Sequence, residues 1–132
     1  NVQLQYEGPA LTINADKLML QRALSNLLSN AIRHAAAHST VRIKVTSEIT
    51  QVDIRVINQG LVIAAEHLPR LFERFYRADP SRQRHSEGAG LGLAMVKSIV
   101  ELHGAQINAC SVLKNSQEPN QAQTEFVLHW PQ

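Results

Sequence analysis

The fold is decided by the stretch Gly88-Ala89-Gly90-Leu91-Gly92-Leu93-Ala94, in which three alternating glycines run straight into a helical pattern. Apolar residues then recur at helical spacing as far as Gly104, which we expect to act as the C-cap. A glycine-rich turn at a helix N-terminus presents backbone N–H groups and a positive dipole end, which suits a phosphate group. The alternative is a tight loop that needs positive φ, and the stretch by itself leaves both interpretations open.

Two common nucleotide-binding motifs are excluded by the glycine spacing. The chain contains no GxxxxGK[ST] segment, so it has no P-loop. The glycines follow a GxGxG pattern rather than GxGxxG, and they lie late in the chain without a βαβ context. This pattern argues against a dinucleotide-binding Rossmann fold.

The composition indicates a single globular domain. The chain has 132 residues, 44% of them hydrophobic and 18% charged. Its net charge of +2 is too small to indicate nucleic-acid binding. The single cysteine, Cys110, excludes an internal disulfide and fits a cytosolic setting, and we expect it to be a small core residue rather than a nucleophile. No apolar run approaches the ~18 residues that a membrane span needs. Because there is no signal peptide and no initiator Met, we expect a fragment of a longer chain.

The most regular segment is a helix predicted from residue 17 to about residue 35. Either Asn14 or Asp16 can cap it. Its apolar residues form one stripe: Leu20, Ala23, Leu24, Leu27, Leu28, Ala31 and Ala35.

A polar face accompanies that stripe. Asn26, Asn30 and Arg33 lie at i, i+4 and i+7, away from the centre of the apolar residues. Asparagine is a poor helix former because its amide competes for backbone hydrogen bonds. Solvated helix faces usually carry Glu and Lys, so two stacked asparagines indicate function, with a solvated polar face as the alternative.

The strands are predicted from alternating apolar residues. Segments 41–45 and 52–56 alternate perfectly, which predicts an antiparallel hairpin with one buried and one solvated face. We predict a turn at 57–60, a short helix at 68–76 with Phe72, Phe75 and Tyr76 on its apolar side, and a mobile polar loop at 78–87. The remaining strands are predicted at 2–7, 11–13, 105–112 and 124–130.

These elements predict the fold class. The order is ββ-α-ββ-loop-α-ββ, with two helices and about six strands. There are too few crossover helices for a doubly wound sheet. The sequence therefore predicts a two-layer α/β (α+β) sandwich, with both helices on one face of a mixed, mainly antiparallel sheet.

At this point the chain resembles the catalytic, ATP-binding domain of sensor histidine kinases, in the GHKL superfamily. The resemblance covers residues 1–132 and rests on five boxes in order. Segment 26–31 (NLLSNA) resembles the N box, 58–60 (NQG) the first glycine box, and 71–77 (LFERFYR) the F box. Segment 88–93 (GAGLGL) resembles the second glycine box, and 124–126 (TEF) the last box. Segment 67–81 is especially similar to the heavy-metal-responsive branch, which includes copper sensor kinases.

The resemblance implies a Bergerat-type fold, the cofactors ATP and Mg²⁺, and a role for each matching residue. Asn30 would coordinate Mg²⁺ through its amide oxygen. Arg33, His34 and Arg77 would contact phosphate oxygens, with Tyr76 nearby. Residues 61–87 would form the ATP lid, anchored by Phe72 and Phe75. The other residues to which the resemblance assigns a role lie in the five boxes named above. The implied catalytic residues are Asn26, Asn30, Arg33 and Arg77, and the implied ATP-binding residues are His34, Asn58, Gly60, Tyr76, Gly88, Gly90, Leu91, Gly92, Leu93 and Thr124.

Three positions depart from the family pattern. Most relatives carry Asp where Asn58 stands, and that carboxylate accepts a hydrogen bond from the adenine amino group. Asn58 can accept through its amide oxygen without charge assistance. Val62 stands near where the family has a second glycine in the first glycine box. Gln123 stands where a glycine usually precedes the threonine of the last box.

The resemblance also implies partners and a setting. We expect a cytoplasmic domain of a bacterial inner-membrane sensor whose sensor, transmembrane and dimerisation domains are absent here. None of the six histidines stands in the family's phosphoacceptor motif, so the receiving histidine would lie on the chain's own dimerisation domain. A response regulator would be the further partner, and the full-length protein would be a homodimer. Two alternatives remain: a GHKL ATPase module, which would carry Glu where Asn26 stands, and a nucleotide-binding scaffold without transfer activity.

Overall fold

A computed structural model describes residues 1–76, 92–114 and 121–132. In this part of the chain, one sheet carries two helices packed on one of its faces. The elements in chain order are β1 (Gln3–Glu7), α1 (Lys17–His34), β2 (Thr40–Ser47), β3 (Gln51–Gly60), a 3₁₀ turn (Leu68–Arg70), α2 (Gly92–Leu102), β4 (Gln106–Leu113) and β5 (Ala122–Pro131).

The sheet has five strands in the order β1-β2-β3-β5-β4. Only β1 and β2 are parallel, and the other three pairs are antiparallel. The mixed, mainly antiparallel sandwich predicted from the sequence is confirmed. Among the described residues, neither helix is long and apolar enough to cross a membrane.

The core lies between the helices and the sheet. Buried residues of α1 and α2 meet alternate positions of β3 and β5, because successive side chains of a strand point to opposite faces. The largest fully buried side chains are Trp130, Phe126, Leu27, Leu128, Val41, Val52, Val56, Val96 and Val100. This packing fixes which strand positions face the helices, and the candidate site uses the same face.

The predicted strand at 11–13 is wrong. Residues 11–13 are not a strand of the sheet, and the backbone just after them, before α1, bonds to side chains. The indole N–H of Trp130 donates to the carbonyl of Asn14 at 3.0 Å, and the N–H of Asp16 donates to Nε2 of His103 at 3.0 Å. Asp16 rather than Asn14 is the N-cap of α1, accepting from the Met19 N–H at 3.0 Å.

The predicted turn at 57–60 is also wrong, because β3 continues to Gly60. Its partner β5 extends far enough to pair Asn58 with Thr124 and Gly60 with Ala122. The last residues of β3 are therefore ladder residues, with their side chains in fixed directions.

The sheet face away from the helices is less solvated than predicted. Asp53 on that face is only 7% exposed, and its carboxylate accepts from Gln51 at 2.8 Å and lies 2.9 Å from Nδ1 of His129. Arg55 reaches both Asp53, at 3.5 Å, and Glu125, at 3.6 Å. Hydrogen bonding and ion pairing let this buried carboxylate remain in the sheet.

The predicted short helix at 68–76 is only a 3₁₀ turn at Leu68–Arg70. Cys110, predicted in the core, and Phe75, predicted on the apolar side of that helix, both lie at the surface. Cys110 is exposed on β4, opposite Glu125 of β5, because its position falls on the face away from the helices. Phe75 is 62% exposed, because its backbone turns into the left-handed region at φ 67°. Phe72 does pack inward, edge-on against Phe126 with ring centroids 6.0 Å apart.

Candidate functional site

The candidate site begins where α1 ends on the sheet. The carbonyl of His34, the last residue of α1, lies so close to Gly60 that a Cβ there would fall under 3.0 Å from it. The N–H of Ala36 donates to the carbonyl of Gln59 at 2.7 Å, and Ala35 forms a β-bridge with Gly60. Gly60 is therefore required for a close backbone approach, and the approach places the end of α1 beside the end of β3.

The polar face of α1 lies along its seam with α2. Asn26 is half-buried, and its Nδ2 donates to the carbonyl of Gly92 at 3.5 Å and lies 3.7 Å from Sδ of Met95. Asn30, one turn further on, is also half-buried, and its Oδ1 accepts from the Arg33 guanidinium at 3.5 Å. The predicted grouping of Asn26, Asn30 and Arg33 on one face is therefore present in the structure.

A row of polar side chains crosses the end of the sheet on the side that faces the helices. Asn58 of β3 lies opposite Thr124 of β5, and Thr124 lies opposite Ser111 of β4. Asn58 and Thr124 are each only 3% exposed. The Ser111 and Thr124 hydroxyl oxygens are 2.8 Å apart and hydrogen-bonded. Directly opposed residues project from the same sheet face, so the three polar groups form a continuous line beneath the helices.

The segment after β3 is attached to that row. The N–H of Ile63 donates to Oγ of Ser111 at 3.0 Å. Further along, the Tyr76 hydroxyl hydrogen-bonds Nδ1 of His67, and the Arg70 guanidinium lies 4.4 Å from the centre of the Tyr76 ring. The Arg70 guanidinium donates hydrogen bonds to the Glu73 carboxylate, which raise the pKa of Arg70 above its usual value, so Arg70 stays charged in this stack.

The other predicted site residues are distributed as follows. Gly92 is the first residue of α2, and Leu93 packs against the core. His34 is exposed at the end of α1. The predicted lid at 61–87 is described only as far as Tyr76, and the predicted residues Arg77, Gly88, Gly90 and Leu91 lie outside the described residues.

Ser111 was missed by the sequence analysis. The signal was present, because Ile107, Ala109 and Ser111 occupy successive positions of β4 on the face toward the helices, and Ser111 is the polar one. A hydroxyl at an apolar position of an alternating strand indicates a bonded partner across the sheet. The sequence could not identify Thr124 as that partner without the strand order.

Comparisons with known proteins agree with this architecture. Residues 15–132 match the family described as histidine kinase-, DNA gyrase B-, and HSP90-like ATPase. The sensor histidine kinase CusS of Escherichia coli (strain K12) is 50% identical over 130 residues, which is 98% of this chain and 25% of that protein. The chain thus spans about a quarter of the length of the curated relatives it matches.

Two solved structures are similar over nearly the whole chain. The mycobacterial sensor histidine kinase MprB superposes with a TM-score of 0.78 at 26% identity, covering 99% of this chain and 86% of that one. Full-length ShkA, solved in complex with AMPPNP, gives a TM-score of 0.76 at 26% identity over 98% of this chain and 25% of that one. The fold and the family match define an ATPase-type domain of the histidine kinase, gyrase and HSP90 class. The chain belongs to the histidine kinase-, DNA gyrase B-, and HSP90-like ATPase family, and the resemblance to the heavy-metal branch of sensor histidine kinases is confirmed.

Proposed function

We propose that this chain is the catalytic domain, residues 1–132, of a sensor histidine kinase. It binds Mg-ATP and transfers the γ-phosphoryl group to a histidine on a separate dimerisation domain, for relay to a response regulator. One observation carries the proposal: the Asn30–Arg33 face of α1 and the Asn58–Thr124 pair are brought to the same corner by the contact of His34 with Gly60. The Asn30–Arg33 face suits phosphate groups and a metal ion, and the Asn58–Thr124 pair suits the adenine base.

Asn30 fits a magnesium ligand. Its amide oxygen is a hard donor on a half-buried helix face, and its one described hydrogen bond, from Arg33, is long at 3.5 Å and readily exchanged. Mg²⁺ keeps most of its coordination sphere as water and phosphate oxygens, so a single amide suffices. Within the described ranges, no cluster of three or more His, Cys, Asp or Glu offers a competing metal site. The ion would neutralise phosphate charge when bound.

The phosphate groups would lie between α1 and the start of α2. Arg33 and His34 stand at the end of α1, and Gly92 opens α2 with the backbone N–H groups of a helix N-terminus. Tyr76 and Arg77 would approach from the lid. The second glycine box, Gly88 to Leu93, would supply further N–H donors at Gly90 and Leu91.

The adenine base would lie over the Asn58–Thr124 pair. Both side chains are buried polar groups on the sheet face toward the helices. An amide and a hydroxyl side by side offer both donor and acceptor atoms, which suits the edge of a purine.

The test is binding of Mg-ATP to the isolated chain by titration calorimetry. We expect micromolar-range binding that needs Mg²⁺ and is lost in Asn30→Ala, because the metal-bridged phosphate contacts disappear. Ser29→Ala, at the adjacent exposed position of α1, is the matched control and should bind as wild type. Circular dichroism checks that both variants fold. Unchanged Mg-ATP affinity in a folded Asn30→Ala would refute the magnesium role.

Transfer is tested with labelled ATP and a purified dimerisation domain that carries the phosphoacceptor histidine. We expect acid-labile phosphate on that histidine only when both domains are present. In the full-length protein, the domain would lie on the cytoplasmic side of a bacterial inner-membrane sensor, a homodimer that phosphorylates a response regulator. Label that appears on this chain alone, or no label at all, would contradict the kinase assignment.

A further inference from the structure

Ser111 occupies a position that controls the Thr124 hydroxyl. Its oxygen accepts a hydrogen bond from the Ile63 N–H at 3.0 Å and shares a second bond with Thr124 Oγ1 at 2.8 Å. A hydroxyl carries a single hydrogen, so the Ser111–Thr124 bond has one donor and one acceptor. A hydroxyl that already accepts from an N–H is polarised and becomes the better donor in a chain of bonds. The Ile63 bond therefore favours Ser111 as the donor to Thr124, and in that arrangement the Thr124 hydrogen is left to donate elsewhere.

The neighbouring Asn58 cannot choose between purines by itself. Adenine presents an amino donor beside a ring acceptor, whereas guanine presents a carbonyl acceptor beside a ring N–H donor. A carboxylate could only accept, but the amide of Asn58 can turn over and present either its oxygen or its NH₂ group. Selectivity must then come from a neighbour whose hydrogen-bond direction is fixed.

We propose that Ser111 is a positioning residue that sets adenine selectivity, by holding the Thr124 hydroxyl as a donor into the base site. This inference rests on the proposed nucleotide-binding function. A Thr124 donor meets the ring acceptor of adenine favourably and opposes the ring N–H of guanine. The bond from Ile63 favours this direction, because a hydroxyl that accepts from an N–H is polarised and is the better donor to Thr124.

The experiment measures the ratio of ATP to GTP affinity by titration calorimetry with Mg²⁺ present. Wild type should prefer ATP, and Ser111→Ala should lower the ratio about five- to ten-fold, the effect of one directed neutral hydrogen bond. Ser111→Thr keeps the hydroxyl and should keep the wild-type ratio. Cys110→Ala, on the same strand but the opposite face, is the matched control.

The outcomes separate this inference from the proposed function. A Ser111→Ala protein that binds ATP with the wild-type ratio would overturn the inference, and so would a wild type without ATP preference. A folded wild type that binds neither nucleotide would refute the proposed function and this inference with it. Should Ser111→Ala not fold by circular dichroism, Ser111→Cys substitutes a near-isosteric weak donor, and the same loss of selectivity is expected.

Discussion

Gly60→Ala tests whether the glycine at the corner of the site is structural. An alanine Cβ would lie under 3.0 Å from the His34 carbonyl oxygen, and that oxygen is backbone, so no side-chain rotation can relieve the contact. Either β3 or the end of α1 must move. Overpacking of this kind costs about 1–3 kcal/mol, and loss of the Ala36–Gln59 hydrogen bond would add about 1 kcal/mol. We expect a loss of about 2–4 kcal/mol in the free energy of unfolding.

The assay is urea unfolding followed by circular dichroism, with thermal unfolding beside it. For a domain of this size the expected loss lowers Tm by about 6–16 °C, with an unchanged denaturant slope. Gly92→Ala is the matched control, because a Cβ at Gly92 meets nothing within 4 Å among the described residues and stands in a helix. It should change stability by no more than about 0.5 kcal/mol.

The result that would refute this reasoning is a Gly60→Ala protein that unfolds at the wild-type urea midpoint. If such a protein also lost ATP affinity, Gly60 would act by contacting the nucleotide rather than by admitting the end of α1. If stability falls as expected, a loss of ATP affinity in the same variant is secondary to the displaced corner.

Three further predictions concern single side chains. Asn58→Asp should tighten ATP and ADP by at most about ten-fold, because a neutral hydrogen bond contributes about 1 kcal/mol and a charged one about 1.5–3; weaker binding in calorimetry would show that Asn58 does not contact the adenine amino group. The isolated chain should hydrolyse ATP very slowly, because Asn26 cannot act as a general base, an effect of about 10²–10⁴ in rate; steady turnover that Asn26→Ala abolishes would favour the ATPase alternative. Partial desolvation of the exposed Cys110, and then the charge of Glu125, raise the pKa of its thiol, so maleimide labelling should be slow at neutral pH and speed up as pH rises. Glu125→Gln should accelerate the labelling, and an unchanged rate would contradict the role of that charge.

The sequence was sufficient where a pattern is local. The stripe of α1 and the alternation of β2 and β3 each depend on residues within one element, and both appear in the structure. The cap of α1 was predicted at Asn14 or Asp16, and the structure identifies Asp16. The strand at 11–13 and the turn at 57–60 were wrong because pairing is decided by a distant partner. Segment 11–13 has none in the sheet, whereas Gly60 gains Ala122.

The same division applies to the site. Asn26, Asn30 and Arg33 could be grouped from helical spacing alone, because one helix fixes their face. The Asn58–Thr124–Ser111 row could not, since its members are dispersed along the chain and meet only through the order β3-β5-β4. Cys110 was wrongly predicted in the core, although the alternation along β4 places it on the face opposite Ala109 and Ser111. The exposure of Phe75 could not be predicted, because its left-handed backbone has no local signature.

Asn26 has a structural contact and a chemical consequence at the same position. The Asn26 Nδ2 donates to the Gly92 carbonyl, which ties α1 to the first residue of α2. A carboxylate in its place would set one acceptor against another and would repel that carbonyl. The donor amide therefore suits a domain that holds the start of α2 in position and leaves water unactivated. A kinase benefits from both properties, because hydrolysis would consume the γ-phosphate before the partner histidine arrives, and a neutral imidazole nitrogen needs no general base to attack.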